Sequence, residues 1–319
     1  MNSALSKKPS RKTGPLDLVC KMTRAFYQCW LLGLAFVDGG GCAMADEYTQ
    51  PVAMPPMTVT ATNDLAEEAP LGPNQQPEWT ARRRFTTTRI YVQPPWQIEA
   101  ESGWDAQYFR SHKGSPFHLL TQEFELGLPY RFQVDYEYAE AINKDGNGRW
   151  TYDSSSFELR WALAEWGKIP LNPTIKAEWK INNADADAYE LNLALGDEIA
   201  PRWHWGSNLF YEQQIGTDRE RELAATLAVS YTLIDEKLGL GTEMKLTDET
   251  DRDDRVSHLQ FQIGPSLQWR PTPRTHLDIV PLFGTTGPSP FLEAFLFFGI
   301  DFGPGSEREG VEPASLRNK

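Results

Sequence analysis

The chain has 319 residues, with 31 basic against 44 acidic side chains, a net charge of −13 and 40% hydrophobic residues. That balance argues against a nucleic-acid partner, because a phosphate backbone demands a basic footprint. Its three cysteines, Cys20, Cys29 and Cys42, all lie in the first 45 residues, so a chain cleaved after Ala45 has no disulfide, thiolate nucleophile or cysteine metal site.

Residues 1–45 read as an export signal. Lys7, Lys8, Arg11, Lys12, Lys21 and Arg24 form a basic region, Ala25 to Val37 an apolar core, and Ala43-Met44-Ala45 a small-x-small cleavage site. Thirteen residues are too few for a membrane-spanning helix, and Asp38 with three glycines ends the run. Cleavage removes six basic and two acidic residues and leaves 25 against 42, a net charge of −17. Residues 46–95 are expected to be a flexible periplasmic leader, since Asp46 to about Thr80 is rich in Pro, Thr, Glu and Gln with few large apolar side chains.

From Trp96 the pattern changes to strict alternation of apolar and polar residues, clearest in Tyr130 to Ala139, YRFQVDYEYA. Neighbouring side chains of a strand point to opposite faces, so Tyr130, Phe132, Val134, Tyr136 and Tyr138 share one face and Arg131, Gln133, Asp135 and Glu137 the other. Twelve such strands are expected between residues 96 and 302. Their starts fall near Trp96, Leu119, Tyr130, Phe157, Thr174, Tyr189, Trp203, Leu223, Leu238, Leu259, Leu277 and Leu292. Tight connections (LPYR, GKIPLNP, GDEIAPR, IDEKLG, RPTPRT) follow the even strands, and polar ones such as NKDGNGRWTYD and TDETDRDDRVS follow the odd strands. An even strand count with short turns at one end and longer polar loops at the other predicts an all-β fold, a transmembrane antiparallel β-barrel of about 12 strands. Trp166, Trp203, Tyr231 and Trp269 are placed as interfacial girdle residues. A soluble β-sandwich also alternates. Here, however, the polar faces mix charges with small residues such as Gly127, Gly206, Ala228 and Gly264, which suits a crowded interior.

Parity places Glu99, Glu101, Glu123, Glu125, Asp135, Glu137, Glu158, Glu190 and Glu243 inside, together with Asp105, Glu212, Glu222, Asp278, Glu293 and Asp301. The inward bases are fewer: Arg131, Arg160, Lys176, Lys180 and Lys245. Rings of carboxylates favour cations. The expected function is therefore an outer-membrane channel passing small solutes, cation-favouring through an acidic lumen, with Arg131, Arg160 and Lys180 partitioning it. The alternatives are a non-conducting structural or adhesion barrel that binds through acidic loops, and an outer-membrane lipid hydrolase. For the last, His204 and Ser207 have opposite parity, as do Ser257 and His258. No cofactor is expected. Asp251, Asp253 and Asp254 lack the glycine turn and spacing of a helix-loop-helix calcium site, so no metal site is assigned.

Two segments carry resemblances. Pro290 to Phe302, PFLEAFLFFGIDF, resembles the terminal strand of bacterial outer-membrane β-barrel proteins. Phe298, Ile300 and Phe302 match its apolar alternation and final aromatic, with Gly299 between them. The likeness implies assembly by the barrel-assembly machinery, outer-membrane lipids as surroundings, and a small porin or channel. Seventeen residues, 303–319, follow the aromatic as a periplasmic tail, a departure from the families in which it is the last residue. Met57-Thr58-Val59-Thr60-Ala61-Thr62 resembles the energy-coupling box of TonB-dependent receptors and implies an energy-coupling protein as partner. A plain Pro/Thr linker is the other reading of those residues. Fewer than 40 residues separate Thr62 from the first strand, so the plug domain of such receptors is not expected.

Overall fold

A computed structural model of the chain describes residues 65–82, 85–110, 116–142, 148–183, 185–216, 220–250 and 257–303. The expected export signal, the Thr58, Val59, Thr60, Ala61, Thr62 segment and the tail after Gly303 lie outside the described residues.

Two short strands, β1 (Pro70–Leu71) and β2 (Gln76–Pro77), pair with each other. Twelve long ones follow: β3 (Ile98–Tyr108), β4 (Phe117–Leu128), β5 (Phe132–Ile142), β6 (Trp150–Ala162), β7 (Thr174–Asn182), β8 (Ala188–Ala200), β9 (Trp203–Gln214), β10 (Arg221–Ile234), β11 (Leu238–Thr250), β12 (Ser257–Thr272), β13 (Thr275–Gly284) and β14 (Leu292–Phe302). Each is antiparallel to its sequence neighbours, and β14 pairs with β3 to close the barrel. Closure removes the unpaired edges that a membrane would not tolerate.

The alternation was legible because it is paid out on both faces. Phe124, Phe157, Leu159, Trp179, Leu191, Leu209, Ile279 and Phe298 project outward and are exposed. Glu99, Glu125, Gln133, Asp135, Asn208 and Glu243 project inward and are buried. An apolar exterior around a polar interior inverts the arrangement of a soluble domain and matches hydrocarbon surroundings. The chain is a transmembrane antiparallel β-barrel.

Several boundaries differ from expectation; β5, for one, starts at Phe132 rather than Tyr130, because Tyr130 takes a left-handed φ of 63° in the turn before it. β3 starts at Ile98 rather than Trp96, because Trp96 takes a left-handed φ of 69° in a turn. β6 runs Trp150–Ala162 rather than Phe157–Trp166, because Ser154 and Ser156 face inward and carry no apolar signal. β8 continues through Gly196 to Ala200, so only Pro201 and Arg202 link it to β9. Trp166 is also not a girdle residue. It packs edge-on against Trp79 at 5.7 Å and Tyr91 at 5.3 Å, on residues inside the barrel. Trp203 and Trp269 do face outward, 44% and 47% exposed, with Tyr231 5.0 Å from the Trp203 ring.

The largest departure concerns the leader. Of the expected flexible periplasmic leader 46–95, the described residues 65–82 and 85–95, with 96 and 97 after them, fold into the lumen instead. Pro70, Pro73, Pro77, Pro94 and Pro95 hold the segment's pairing to the two-residue β1–β2 ladder. Its apolar side chains Trp79, Phe85, Ile90, Tyr91 and Val92 form a buried cluster with the inward Ala162 and Ala228. Fully burying such side chains contributes roughly 1.5–3 kcal/mol each. Small inward residues leave the room: a Cβ on Gly206 would sit 2.4 Å from Ile90, and one on Gly127 2.0 Å from the Pro94 carbonyl oxygen.

Candidate functional site

The lumen divides into two zones. Toward the rim with the short connections, the 65–97 segment bonds to almost every side of the wall. The Trp79 indole N–H donates to Glu198 on β8 at 2.9 Å. Backbone N–H groups of Thr86 and Thr87 donate to both oxygens of Glu243 on β11, at 3.0 and 2.8 Å. The Thr88 and Thr226 hydroxyls meet at 2.8 Å. Tyr91 donates its hydroxyl to the Ala164 carbonyl at 2.7 Å. The Gln93 N–H donates to Gln133 on β5 at 2.6 Å, and the Gln97 amide to Asp301 on β14 at 3.1 Å.

Arg89 is the central contact. Its two terminal nitrogens reach Glu99 at 2.8 Å and Glu125 at 2.6 Å, and both carboxylates are fully buried. Burial opposes its charge, but Glu125 and Glu99 outweigh burial and hold its pKa well above the usual value. The Gln93 side-chain amide also donates to Glu99 and, at 3.3 Å, to Glu125.

The wall itself carries a pattern that only the register reveals. Directly opposed positions on successive strands read Asp301, Glu99, Glu125, Asp135, Glu158, Glu178, Glu190, Glu212, Glu222 and Glu249, from β14 through β3 to β11. His258 on β12 stands opposite Glu249. Strands lie roughly 4.7–4.9 Å apart, so this is one continuous row of carboxylates. Because barrel strands are tilted, the row climbs. It starts one residue inside the short-connection rim at Glu99 and Asp301 and ends one residue inside the opposite rim at Glu222 and Glu249.

Cations occupy the lower steps. Arg89 covers Glu99 and Glu125. Arg160 contacts Asp135 at 3.1 Å and also pairs with Glu158. Lys176 bridges Glu158, Glu178 and Glu190 at 2.8, 2.9 and 2.8 Å. Above them Glu212, Glu222 and Glu249, with Gln214, Arg221 and His258, line a cavity of about 310 Å³ at the far rim, where Lys180 and Lys245 supply the positive charge nearest Glu212 and Glu222. A smaller cavity, of about 130 Å³, remains between the segment and the wall, lined in part by Thr86, Arg89, Arg160 and Lys176.

Most of the residues assigned to the lumen therefore stand on it. Glu99, Glu101, Glu123, Glu125, Asp135, Glu158, Arg160 and Glu243 are buried inside, and Glu137, Lys180 and Glu190 line the wall half-buried. Arg131 does not sit on the wall. It belongs to the turn Pro129–Arg131 at a left-handed φ of 67° and donates to the Ala162 carbonyl at 3.2 Å. Phe298, Ile300 and Phe302 face outward on β14 and Gly299 faces inward, where it pairs with Glu101. Glu178 has the parity of its neighbours Lys176 and Lys180 and completes the row. Arg89 had no signal, because the segment that carries it has no period. His204 is fully buried at 4.5 Å from Trp79, whereas Ser207 donates its hydroxyl to the Thr226 carbonyl, so the two form no pair.

No protein-family model and no curated protein matches the chain. Among solved structures it is similar to the NanC porin, with 12% identity over 65% of this chain and 100% of that one and a TM-score of 0.45. It is also similar to an outer membrane channel from Pseudomonas putida F1, with 12% identity, 67% and 98% coverage and a TM-score of 0.46. The KdgM porin crystallised with disordered oligogalacturonate gives 9% identity, 65% and 99% coverage and a TM-score of 0.42. Independently of these likenesses, a closed antiparallel barrel with an apolar outer face and short turns at one rim is the architecture of bacterial outer-membrane proteins.

Proposed function

We propose that the protein is an outer-membrane channel for small cationic or neutral solutes, held closed over its periplasmic half by residues 65–97. The observation that carries this reading is the climbing row of carboxylates. Ten acids in register from rim to rim form a continuous series of sites at which a cation leaves one partner for the next. The upper steps stand in the open zone of the lumen. The lower steps are covered by Arg89 of the inserted segment, by Arg160 and by Lys176, so movement of the segment uncovers Glu99 and Glu125. Such an exchange of an internal cation for a travelling one suits a gated path better than a permanently open one.

The segment's bonds to the wall are mostly polar, which suits reversible docking. Its N-terminal side leads directly back to the Thr58-to-Thr62 box, where an energy-coupling protein would pull. The test is the reversal potential of the refolded protein in a planar bilayer under a potassium chloride gradient. Openings with cation preference support the reading. Anion-selective openings, or a barrel that inserts and stays silent when the segment is released, would sink it.

A further inference from the structure

On the wall near the short-connection rim, three strands bring together a group that the carboxylate row does not explain. His276 on β13, Gly299 on β14 and Glu101 on β3 are opposed in one line of the register. Gly299 has no side chain, so the His276 imidazole lies across it and reaches β3. A Cβ at Gly299 would fall 1.9 Å from His276 Nε2. Across that gap Nε2 stands 2.7 Å from Glu99 Oε1 and 3.7 Å from Glu101 Oε2. One donor atom from each of the three residues lies within 4.8 Å of the others, and all three are buried.

The far side of the ring is fixed as well. Asp278, two residues on and on the same face, holds His276 Nδ1 at 2.7 Å. A carboxylate on Nδ1 fixes the ring so that Nε2 is the atom presented to a metal once its proton is lost, the arrangement found behind many zinc-bound histidines. Glu99 is oriented in the same way. Its Oε2 receives Arg89 and the Gln93 amide, which turns Oε1 toward the ring. Two ligands at zinc distances around a tetrahedral ion are separated by roughly 3.3 Å. The observed 2.7 and 3.7 Å bracket that separation, and the Glu99 and Glu101 ligand atoms lie within 4.8 Å of each other.

We propose that Glu99, Glu101 and His276 bind a divalent transition-metal ion such as Zn²⁺, with Asp278 as positioning residue. The ion replaces the proton shared between His276 Nε2 and Glu99 Oε1, and that proton leaves to solvent. One imidazole and two carboxylates suit zinc and its neighbours, whereas Ca²⁺ and Mg²⁺ prefer shells made of oxygen alone. The assignment is tested separately from conduction, because its three ligands come from β13 and β3 across the Gly299 gap and its readout is metal binding. It also gives Gly299 a role distinct from the assembly signal.

The experiment is calorimetric titration of the refolded full barrel in detergent with Zn²⁺ and, separately, Ca²⁺. The expected result is one Zn²⁺ site that ignores Ca²⁺. Binding weakens at least about tenfold in His276→Gln and Glu101→Gln and about 10–100-fold in Asp278→Asn, and is unchanged in His258→Gln. Heat-modifiable gel migration checks that each variant is folded. If the variants fail to fold, X-ray absorption of the zinc-loaded wild type decides: a shell with one imidazole and otherwise oxygen supports the site. A shell without imidazole, equal affinity for Ca²⁺, no binding, or binding unaffected in folded His276→Gln overturns it.

Discussion

Arg89→Met isolates the contact on which closure depends. The guanidinium is 8% exposed and spans two fully buried carboxylates, at 2.8 Å to Glu99 and 2.6 Å to Glu125. Methionine keeps most of the volume and removes the charge, so both carboxylates lose their main cation partner. Removing one partner of a buried pair costs ~3–5 kcal/mol, against ~0–1 kcal/mol for a pair at the surface. The cost falls on docking of the segment, because the twelve-strand ladder does not pass through Arg89. Hydrogen exchange read by mass spectrometry on the refolded protein measures the opening of residues 85–93 directly. Their protection is expected to fall by about two to three and a half decades, while β8 to β12 keep theirs. Adding Glu99→Gln and Glu125→Gln to the same chain should restore much of the protection, since the uncompensated charges are then gone. A loss under about fivefold, the size of a surface pair, would refute the assignment of Arg89 as the pin that holds the segment.

Other perturbations separate the parts. Trp79→Ala removes the largest fully buried side chain of the segment and should destabilise its docking by ~3–5 kcal/mol, seen as faster proteolysis within residues 65–97 with the barrel core intact. Replacing Glu190, Glu212, Glu222 and Glu249 together by Gln should lower the cation preference measured from reversal potentials and leave gel migration of the folded barrel unchanged. Gly299→Ala puts a methyl group 1.9 Å from His276 Nε2, so the ring must leave β3 and zinc binding should fall with it.

How much of this was legible beforehand depended on whether the pattern was local. The strand faces follow from a period of two, and β14, from Leu292 to Phe302, was legible to the residue. Where inward residues are small or polar, as at Ser154 and Ser156, alternation loses contrast and the start of β6 carries no signal. The inward set of carboxylates was also local information. Their alignment into one climbing row was not, since register depends on turn lengths and on the tilt of the closed barrel. The link after β6, 163–173, is longer than its neighbours at that rim, and no composition rule announces how it shifts the pairing. The inserted segment was least legible of all. Residues 65–97 look like a linker because prolines interrupt them and their apolar residues share no face. Their order comes from contacts far away in sequence, such as Thr87 with Glu243 and Trp79 with Glu198. The cue present in the sequence was RRRFTTTRIYV, residues 82–92, whose density of large and β-branched side chains is unusual for a linker. His276 had a cue too: it shares parity with Asp278, and Glu99 with Glu101, but the Gly299 gap that joins the pairs belongs to the register.

The central claim is that the 65–97 segment closes the barrel by docking in it and opens it by moving. Thr88 and Thr226 face each other across that contact at 2.8 Å between hydroxyl oxygens, close enough for an engineered disulfide. The sequence after Ala45 has no other cysteine to interfere. The decisive measurement is the bilayer conductance of one Thr88→Cys/Thr226→Cys preparation, first oxidised and then reduced in place. The account predicts a silent oxidised barrel whose cation-selective openings appear on reduction. Equal conductance in both states would contradict it.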